Sequence, residues 1–427
     1  MTVVAVIGGQ WGDEGKGKIV DLLAGRAHMV VRYSGGSNAG HTIVNDMGTF
    51  RLHLVPGGIF HPNVSCVIGN GVVLDPAGLF QEIDELNARG ISTDNLFISD
   101  RAHLVMPYHI LIDKLEEQAR GGGAIGTTLR GIGPAYADKT ARQGLRVCDI
   151  LSEDDLLRRV RPILEQKNRL LIDYYGADPL DLGDVVKRYL DYGRKLAPHV
   201  RDTEEMVRRA AASKQSVVLE GAQGTMLDVD FGTYPYVTSS SPTVGGALTG
   251  IGINPSQVSH VVAVFKAYTT RVGAGPFPTE LKDEIGEMIR EHAQEFGATT
   301  GRPRSCGWFD GVVARYSARL NGCRSFALTR LDVLDVLPSI KICVAYTADG
   351  RTIESPPASI SLMERCQPVY EEMEGWLTPT SDVRRFQDLP RAARAYVRRL
   401  ESLVGCRASL ISVGPRREET IEVKALL

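Results

Sequence analysis

The sequence predicts an α/β fold: a large, mostly parallel β-sheet flanked by helices. Three observations carry this. Short continuous apolar runs recur along the chain, as in strands covered on both faces. Helical patterns lie between many of them, the βαβ order that builds a parallel sheet. A glycine-rich turn follows the first run directly and leads into a helix.

In chain order, Val3 to Ile7 is the first buried strand, Lys18 to Leu23 has helical character, and His28 to Tyr33 completes a βαβ unit. Further strands are expected at Val64 to Ile68, Leu96 to Ser99, Val217 to Glu220, Val261 to Phe265, Ser325 to Thr329, Ile340 to Tyr346 and Ala408 to Val413. Helices are expected at Ala77 to Arg89, Tyr108 to Arg120, Asp310 to Leu320 and Pro390 to Val404. Residues Ser152 to Ser213 differ: they hold helical stretches rich in Arg, Asp and Glu, without a clear strand. They read as a helical insertion at about 152–213, because strand patterns resume immediately afterward. No repeat or Pro/Ser linker divides the chain, so residues 1–427 are expected to form a single α/β domain.

Composition narrows the function. The 49 Lys and Arg against 51 Asp and Glu give a net charge of -2, so no global basic field exists to hold nucleic acid or an anionic membrane. The 7 cysteines are odd in number and form no CxxC pair, which argues against structural zinc or a disulfide framework. The N-terminus lacks a basic n-region, and no run approaches the roughly 18 apolar residues of a membrane span. A cytoplasmic protein is expected. Many of the 45 glycines cluster, as in loops where backbone approaches a ligand.

The first cluster is Gly8-Gly9-Gln10-Trp11-Gly12-Asp13-Glu14-Gly15-Lys16-Gly17-Lys18. Backbone N–H groups of such a turn, with a helix N-terminus behind them, cradle an anion. The dinucleotide fingerprint GxGxxG fits at no register. The Walker A pattern fits in part and makes the fold P-loop-NTPase-like: Gly15-Lys16 supplies the Gly-Lys pair, but Gly17 stands where Ser or Thr would bind Mg²⁺. Asp13, inside the loop, is the obvious replacement ligand.

GQWGDEGKGK resembles the signature of the adenylosuccinate synthetase family, and the resemblance continues along nearly the whole chain. Ser34 to Thr42, Gly131 to Tyr136, Gly144 to Arg146, Glu220 to Gly224, Phe231 to Thr238, Thr299 to Arg304 and Leu331 to Asp335 are similar to later motifs. The resemblance implies GTP-dependent ligation of IMP and L-aspartate through a 6-phosphoryl-IMP intermediate, with Mg²⁺ as cofactor. The product, adenylosuccinate, lies at the first committed step from IMP to AMP. It also implies a homodimer.

Residue roles follow from the same resemblance. Asp13 is the base that removes the purine ring proton, and Asp13 and the Gly40 carbonyl hold the metal. His41 bonds the transferred phosphoryl oxygen and acts as the acid, and Gln223 completes the catalytic set. GTP is assigned to Gly12, Asp13, Glu14, Gly15, Lys16, Gly17 and Lys18, to Gly40, His41 and Thr42, and to Arg304. Its guanine base is assigned to Arg330, Leu331 and Asp332, similar to the NKxD element of GTPases, closed by Ser412, Val413 and Gly414. IMP is assigned to Asp13 through Lys16, to Asn38, Ala39, Gly40 and His41, and to Thr128, Gln223, Thr238 and Arg302. Arg142 arrives from the other subunit and pairs with the IMP 5′-phosphate, for which a planar guanidinium is suited. Aspartate is assigned to Ala298, Thr299, Thr300, Gly301, Arg302, Pro303 and Arg304, a loop whose two arginines match a substrate with two carboxylates.

The chain departs from the family pattern at Leu129, Ser241, Ser305 and Arg330. Two rival readings share some of these features. A GTPase switch has the glycine loop and the guanine-reading Asp, but leaves Gly40-His41 and the two-arginine loop unexplained. A synthetase for a related nucleotide or amino donor is separated only by a substrate panel.

Overall fold

A computed structural model of the protein describes residues 2–296, 301 and 303–427. Its framework starts with Val3–Gly8 (β1), buried at every position. Nine more strands join it in one sheet: Met29–Arg32 (β2), Ser65–Ile68 (β3), Leu96–Ser99 (β4), Val200–Arg201 (β5), Val217–Glu220 (β6), His260–Lys266 (β7), Ser325–Thr329 (β8), Arg407–Ser412 (β9) and Thr420–Glu422 (β10). Their spatial order is β10-β9-β8-β7-β1-β6-β2-β3-β4-β5. Every neighbouring pair is parallel except β9 with β10.

The order places β1 between β6 and β7, while the chain itself leaves β1 for β2. The crevice beyond the carboxyl ends of the central strands is therefore where an open α/β sheet takes its ligand. Helix Lys16–Ala24 packs Ile19, Val20, Leu23 and Ala24 against β1, β6 and β7.

Two expectations are corrected. The first is the absence of a strand from the helical insertion. Residues 153–196 are helical in the main, but β5 follows and pairs with β4, Ile98 opposite Val200. A two-residue strand is too short to show a period in sequence. The insertion also shares its core with the sheet edge: Leu156, Val160, Leu164 and Tyr189 pack with Ile98, Leu104 and Tyr108. The second correction concerns Ile340 to Tyr346. This segment lies in strand Ser339–Ala348 of a separate small sheet, antiparallel to Arg351–Ile353 and Gln367–Glu374. Its buried positions are interrupted by partly exposed ones, unlike the wholly buried β1 and β6. That is the pattern of a sheet with one covered face.

Candidate functional site

A cleft of about 1030 Å³ opens at the carboxyl ends of the central strands. Its floor is the glycine loop. Gly12 and Gly15 take φ values of 87° and 85°, and Asp13, not a glycine, takes 58°. Gly15 is the N-cap of helix 16–24 and provides no side-chain cap, so the first N–H groups of that helix stay available to an anion. Glu14 holds the loop in shape. Its carboxylate is fully buried, accepts from the Gln10 and Gly12 amides at 3.0 and 2.9 Å, and pairs with the Lys16 ammonium. The Thr329 hydroxyl, at the end of β8, donates to the Glu14 carbonyl at 2.6 Å.

Gly17 replaces the Walker hydroxyl for a packing reason. A Cβ there would lie 3.0 Å from the His41 ring. His41 is the first residue of a hairpin, His41–Asn45 with Gly48–Leu52, and not part of a plain loop. Its Nε2 is buried without a hydrogen-bond partner and lies 3.6 Å from the Glu220 carboxylate at the end of β6. Burial, reinforced by the charges of Arg32, His53 and Lys16, pushes its pKa down to about 3, so the imidazole is neutral.

Asp13 lines the cleft, and its carboxylate accepts from Arg304 Nε at 2.9 Å. Arg304 also pairs with buried Glu295, which takes in addition the Lys266 ammonium at 2.7 Å and the Tyr268 hydroxyl. Burial alone would raise Glu295, but the Lys266 and Arg304 charges hold it at about 2. Gln223, at φ 55°, donates from Nε2 to Asn38 Oδ1 at 3.2 Å, while its Oε1 is buried and unpartnered.

At the other end of the cleft Lys18 donates to Ser412 Oγ and the Gly414 carbonyl, both at 2.7 Å, and to the Glu419 carbonyl at 2.9 Å. Burial pushes this ammonium down to about 8. Asp332 sits on the turn after β8 with a buried, unpartnered Oδ1, and burial raises its pKa. Buried polar atoms are nearly always paired. His41 and Gln223, both lining the cleft, keep such unpaired buried atoms, and Asp332, which does not line it, keeps one on the turn after β8.

A family model described as adenylosuccinate synthetase matches residues 5–421. The chain belongs to the adenylosuccinate synthetase family. It is 53% identical over 421 residues to the synthetase of Dehalococcoides mccartyi, covering 99% of this chain and 100% of that one. It is 53% identical over 426 residues to that of Caldanaerobacter subterraneus, covering 99% and 100%. The fully ligated adenylosuccinate synthetase of Plasmodium falciparum superposes with a TM-score of 0.93 at 37% identity, covering 99% and 100%. A cyanophage S-2L succinoaminodeoxyadenylate synthetase, at 20% identity and a TM-score of 0.60, shares the fold. The activity of an adenylosuccinate synthetase is that of a C–N-forming ligase of purine biosynthesis, which joins IMP to L-aspartate at the expense of GTP. The rival reading of a GTPase switch falls with the family.

The cleft brings together most of the residues expected of a synthetase: Gly12, Asp13, Gly15, Lys16, Gly17 and Lys18 with Asn38 to Thr42, Thr128, Gln223 and Thr238. Gly301, Arg304, Arg330, Ser412 and Gly414 line it as well. Glu14 does not line it; its side chain is wholly committed to the loop, leaving only backbone for a nucleotide. Leu331 and Val413 do not line it either: both side chains are fully buried in the core behind the strand ends, leaving only backbone for a nucleotide. Pro303 is exposed and Arg142 is exposed, and neither lines the cleft of its own chain. Ala298, Thr299, Thr300 and Arg302 lie outside the described residues.

The departures from the family pattern have local partners. Ser305 donates to Glu280, Ser241 donates to Asp228 at 2.6 Å, and Arg330 donates to the Ala293 carbonyl at 2.7 Å. Leu129 is half-exposed at φ 57°, and its amide donates to the Thr127 hydroxyl at 3.4 Å. Sequence reasoning missed Lys266, Glu295 and Arg32, which build the polar walls of the cleft. One signal was present: Arg32, Glu220 and Lys266 are charged residues that close apolar strands. In a parallel sheet that is the ligand end.

Proposed function

We propose that the cleft performs the synthetase reaction in two steps, with Asp13 and His41 at the reacting atoms. Asp13 takes the ring N–H proton of IMP, and the 6-oxo oxygen, now anionic, attacks the γ-phosphorus of GTP; GDP leaves. The aspartate amine then attacks C6, loses a proton and expels phosphate, yielding adenylosuccinate. His41 donates its ring N–H to the phosphoryl oxygens. Burial has stripped that nitrogen of partners, so an oxyanion placed there meets a desolvated donor, where such contacts are strongest. Lys16 and the helix N-terminus neutralise the phosphates. Asp332 accepts from the guanine ring N–H and exocyclic amine, and Gln223 with Asn38 orients IMP.

The residues fit Mg²⁺. Asp13 and the Gly40 carbonyl are hard oxygen donors lining one cleft. The described residues contain no group of three or more His, Cys, Asp or Glu that could cage a metal. A site with one carboxylate suits Mg²⁺, which keeps its waters and takes the rest of its ligands from substrate phosphates. When bound, it neutralises charge on the transferring phosphoryl group.

Gly301 and Arg304 support aspartate binding beside the base. Arg142 serves the 5′-phosphate of IMP in the neighbouring subunit of a homodimer, a role that suits an exposed arginine that does not line its own chain's cleft. A cytoplasmic location fits a chain in which no described helix is long and apolar enough to cross a membrane. The observation that carries the reading is the pair of unpartnered buried atoms on His41 and Gln223, which line the cleft together with an uncapped helix N-terminus.

An absorbance assay with IMP, GTP, Mg²⁺ and aspartate, each omitted in turn, tests the activity; product formed without any one of them would overturn it. Asp13→Ala is expected to lower turnover by more than the ~10²-fold low end of general-base catalysis, and a smaller loss would remove Asp13 from its role.

A further inference from the structure

Arg142 stands at the C-cap of helix Ile132–Ala141 in a left-handed conformation, φ 65°. It makes no side-chain hydrogen bond or ion pair with any described residue. A ten-residue helix has little stability of its own, so the placing of its last residue depends on what the helix is tied to. The ties converge on Asp138. Its carbonyl accepts from the Gln143 and Gly144 amides at 2.8 and 3.0 Å, closing the turn that carries Arg142. Its carboxylate, buried, accepts from His109 Nε2 at 2.9 Å and from the Lys167 ammonium at 2.6 Å.

The His109 tautomer is settled by its surroundings. Nδ1 accepts from the Met106 amide at 2.9 Å, so the proton of the neutral ring is on Nε2 and points at Asp138. Lys167 comes from helix Glu153–Arg169 of the insertion, far along the chain from Asp138. On the cleft side the Tyr136 hydroxyl accepts from the Gly35 amide at 3.0 Å and donates to the Gly71 carbonyl at 2.7 Å. The helix is thus pinned to the IMP loop at one face and to the insertion at the other.

We propose that Lys167 and His109 are positioning residues for Arg142: by clamping the Asp138 carboxylate they fix the turn from which Arg142 reaches the 5′-phosphate of IMP bound to a second copy of this chain. The inference rests on the reading of Arg142 given above. It also gives the helical insertion a task, which is to supply the cation that holds the phosphate-binding arginine in register.

The test is a double-mutant cycle in the full-length enzyme. Lys167→Met is expected to raise KM for IMP by at least about fivefold, the low end of coupling between separated sites. kcat and KM for GTP should stay near wild type. Lys167→Arg, which keeps the cation, is expected to restore most of the IMP affinity. In an Arg142→Leu background Lys167→Met should add nothing further to KM for IMP. Equal increases in both backgrounds, or an equal rise in KM for GTP, would overturn the proposal and leave Lys167 a general structural residue. An unchanged KM for IMP in Lys167→Met alone would overturn it too. If Arg142→Leu itself leaves KM for IMP unaltered, the reading of Arg142 fails, a result distinct from failure of the clamp. Should Lys167→Met not accumulate as folded protein, Lys167→Gln is read in the same way.

Discussion

His41→Asn tests the phosphoryl-transfer role at the level of one side chain. Asparagine keeps a donor of similar reach but cannot take up and return a proton. Contacts that strengthen only in the transition state act on kcat and spare ground-state binding. Turnover is expected to fall by roughly 10²-fold, the low end of what proton transfer by a positioned side chain contributes, with the Michaelis constants for IMP and aspartate little changed. If His41 only packs the hairpin, melting temperature and nucleotide affinity fall together while turnover at saturation survives. Lys18 offers a pH test. Its ammonium, brought to about 8 by burial, makes three hydrogen bonds that hold the 412–419 segment in place. As pH rises through that value the amine loses a proton and with it a donor. KM for GTP is therefore expected to rise between pH 7 and 9, and Lys18→Arg, which stays charged, to flatten the rise. The same slope in wild type and variant would show that another group titrates.

Two helix starts differ in what their first residues do. At helix 16–24, Gly17 trades a metal-binding hydroxyl for room beside His41. Gly17→Ala removes chain entropy from the unfolded state, and on that ground alone should hold or raise stability by up to about 1 kcal/mol. Its new Cβ would lie 3.0 Å from the His41 ring, which must shift to make room, so turnover is expected to drop by more than any change in melting temperature explains. Unchanged turnover would mean that His41 shifts without consequence. At helix Gly311–Leu320 the N-cap is Asp310, wholly buried, accepting from the Val312 and Val313 amides and from the Tyr346 hydroxyl. Burial raises its pKa to about 6, above the ordinary carboxylate value. A group with a raised folded-state pKa contributes stability that is present below the ordinary value and lost as pH rises through the folded one. Wild type is thus expected to lose melting temperature relative to Asp310→Asn between pH 4 and 7, since the amide keeps the cap but does not titrate. Parallel curves would place the titration elsewhere.

For the whole molecule, the proposed sharing of Arg142 between subunits predicts complementation. Asp13→Ala chains are expected to be nearly inactive, and Arg142→Leu chains to turn over only at IMP concentrations well above those that serve wild type. Exchanged into mixed dimers, they form one site with both native residues and recover activity that neither parent has at the IMP concentrations that serve wild type. No recovery in dimers verified as mixed would mean that each chain supplies its own phosphate ligand.

Much of this was legible from residues alone. Mainly apolar runs such as Val217 to Glu220 and Ser325 to Thr329 matched their strands residue for residue, because a strand buried on both faces favours apolar side chains along its length. The glycine loop, Asp13 and His41 stood out because motif and chemistry agree within a few neighbouring residues. What only the tertiary structure decided was long-range pairing. Val200–Arg201 is a strand solely because β4 lies beside it. Glu295 shows nothing in sequence, yet it gathers Lys266, Tyr268 and Arg304 behind Asp13. Lys167 and Asp138, on separate helices, meet only when the insertion folds back. Local periodicity determines which face of an element is apolar; it carries no information about which distant charge a buried carboxylate will find. That choice belongs to the packed chain, where a buried ion without a partner is too costly to keep.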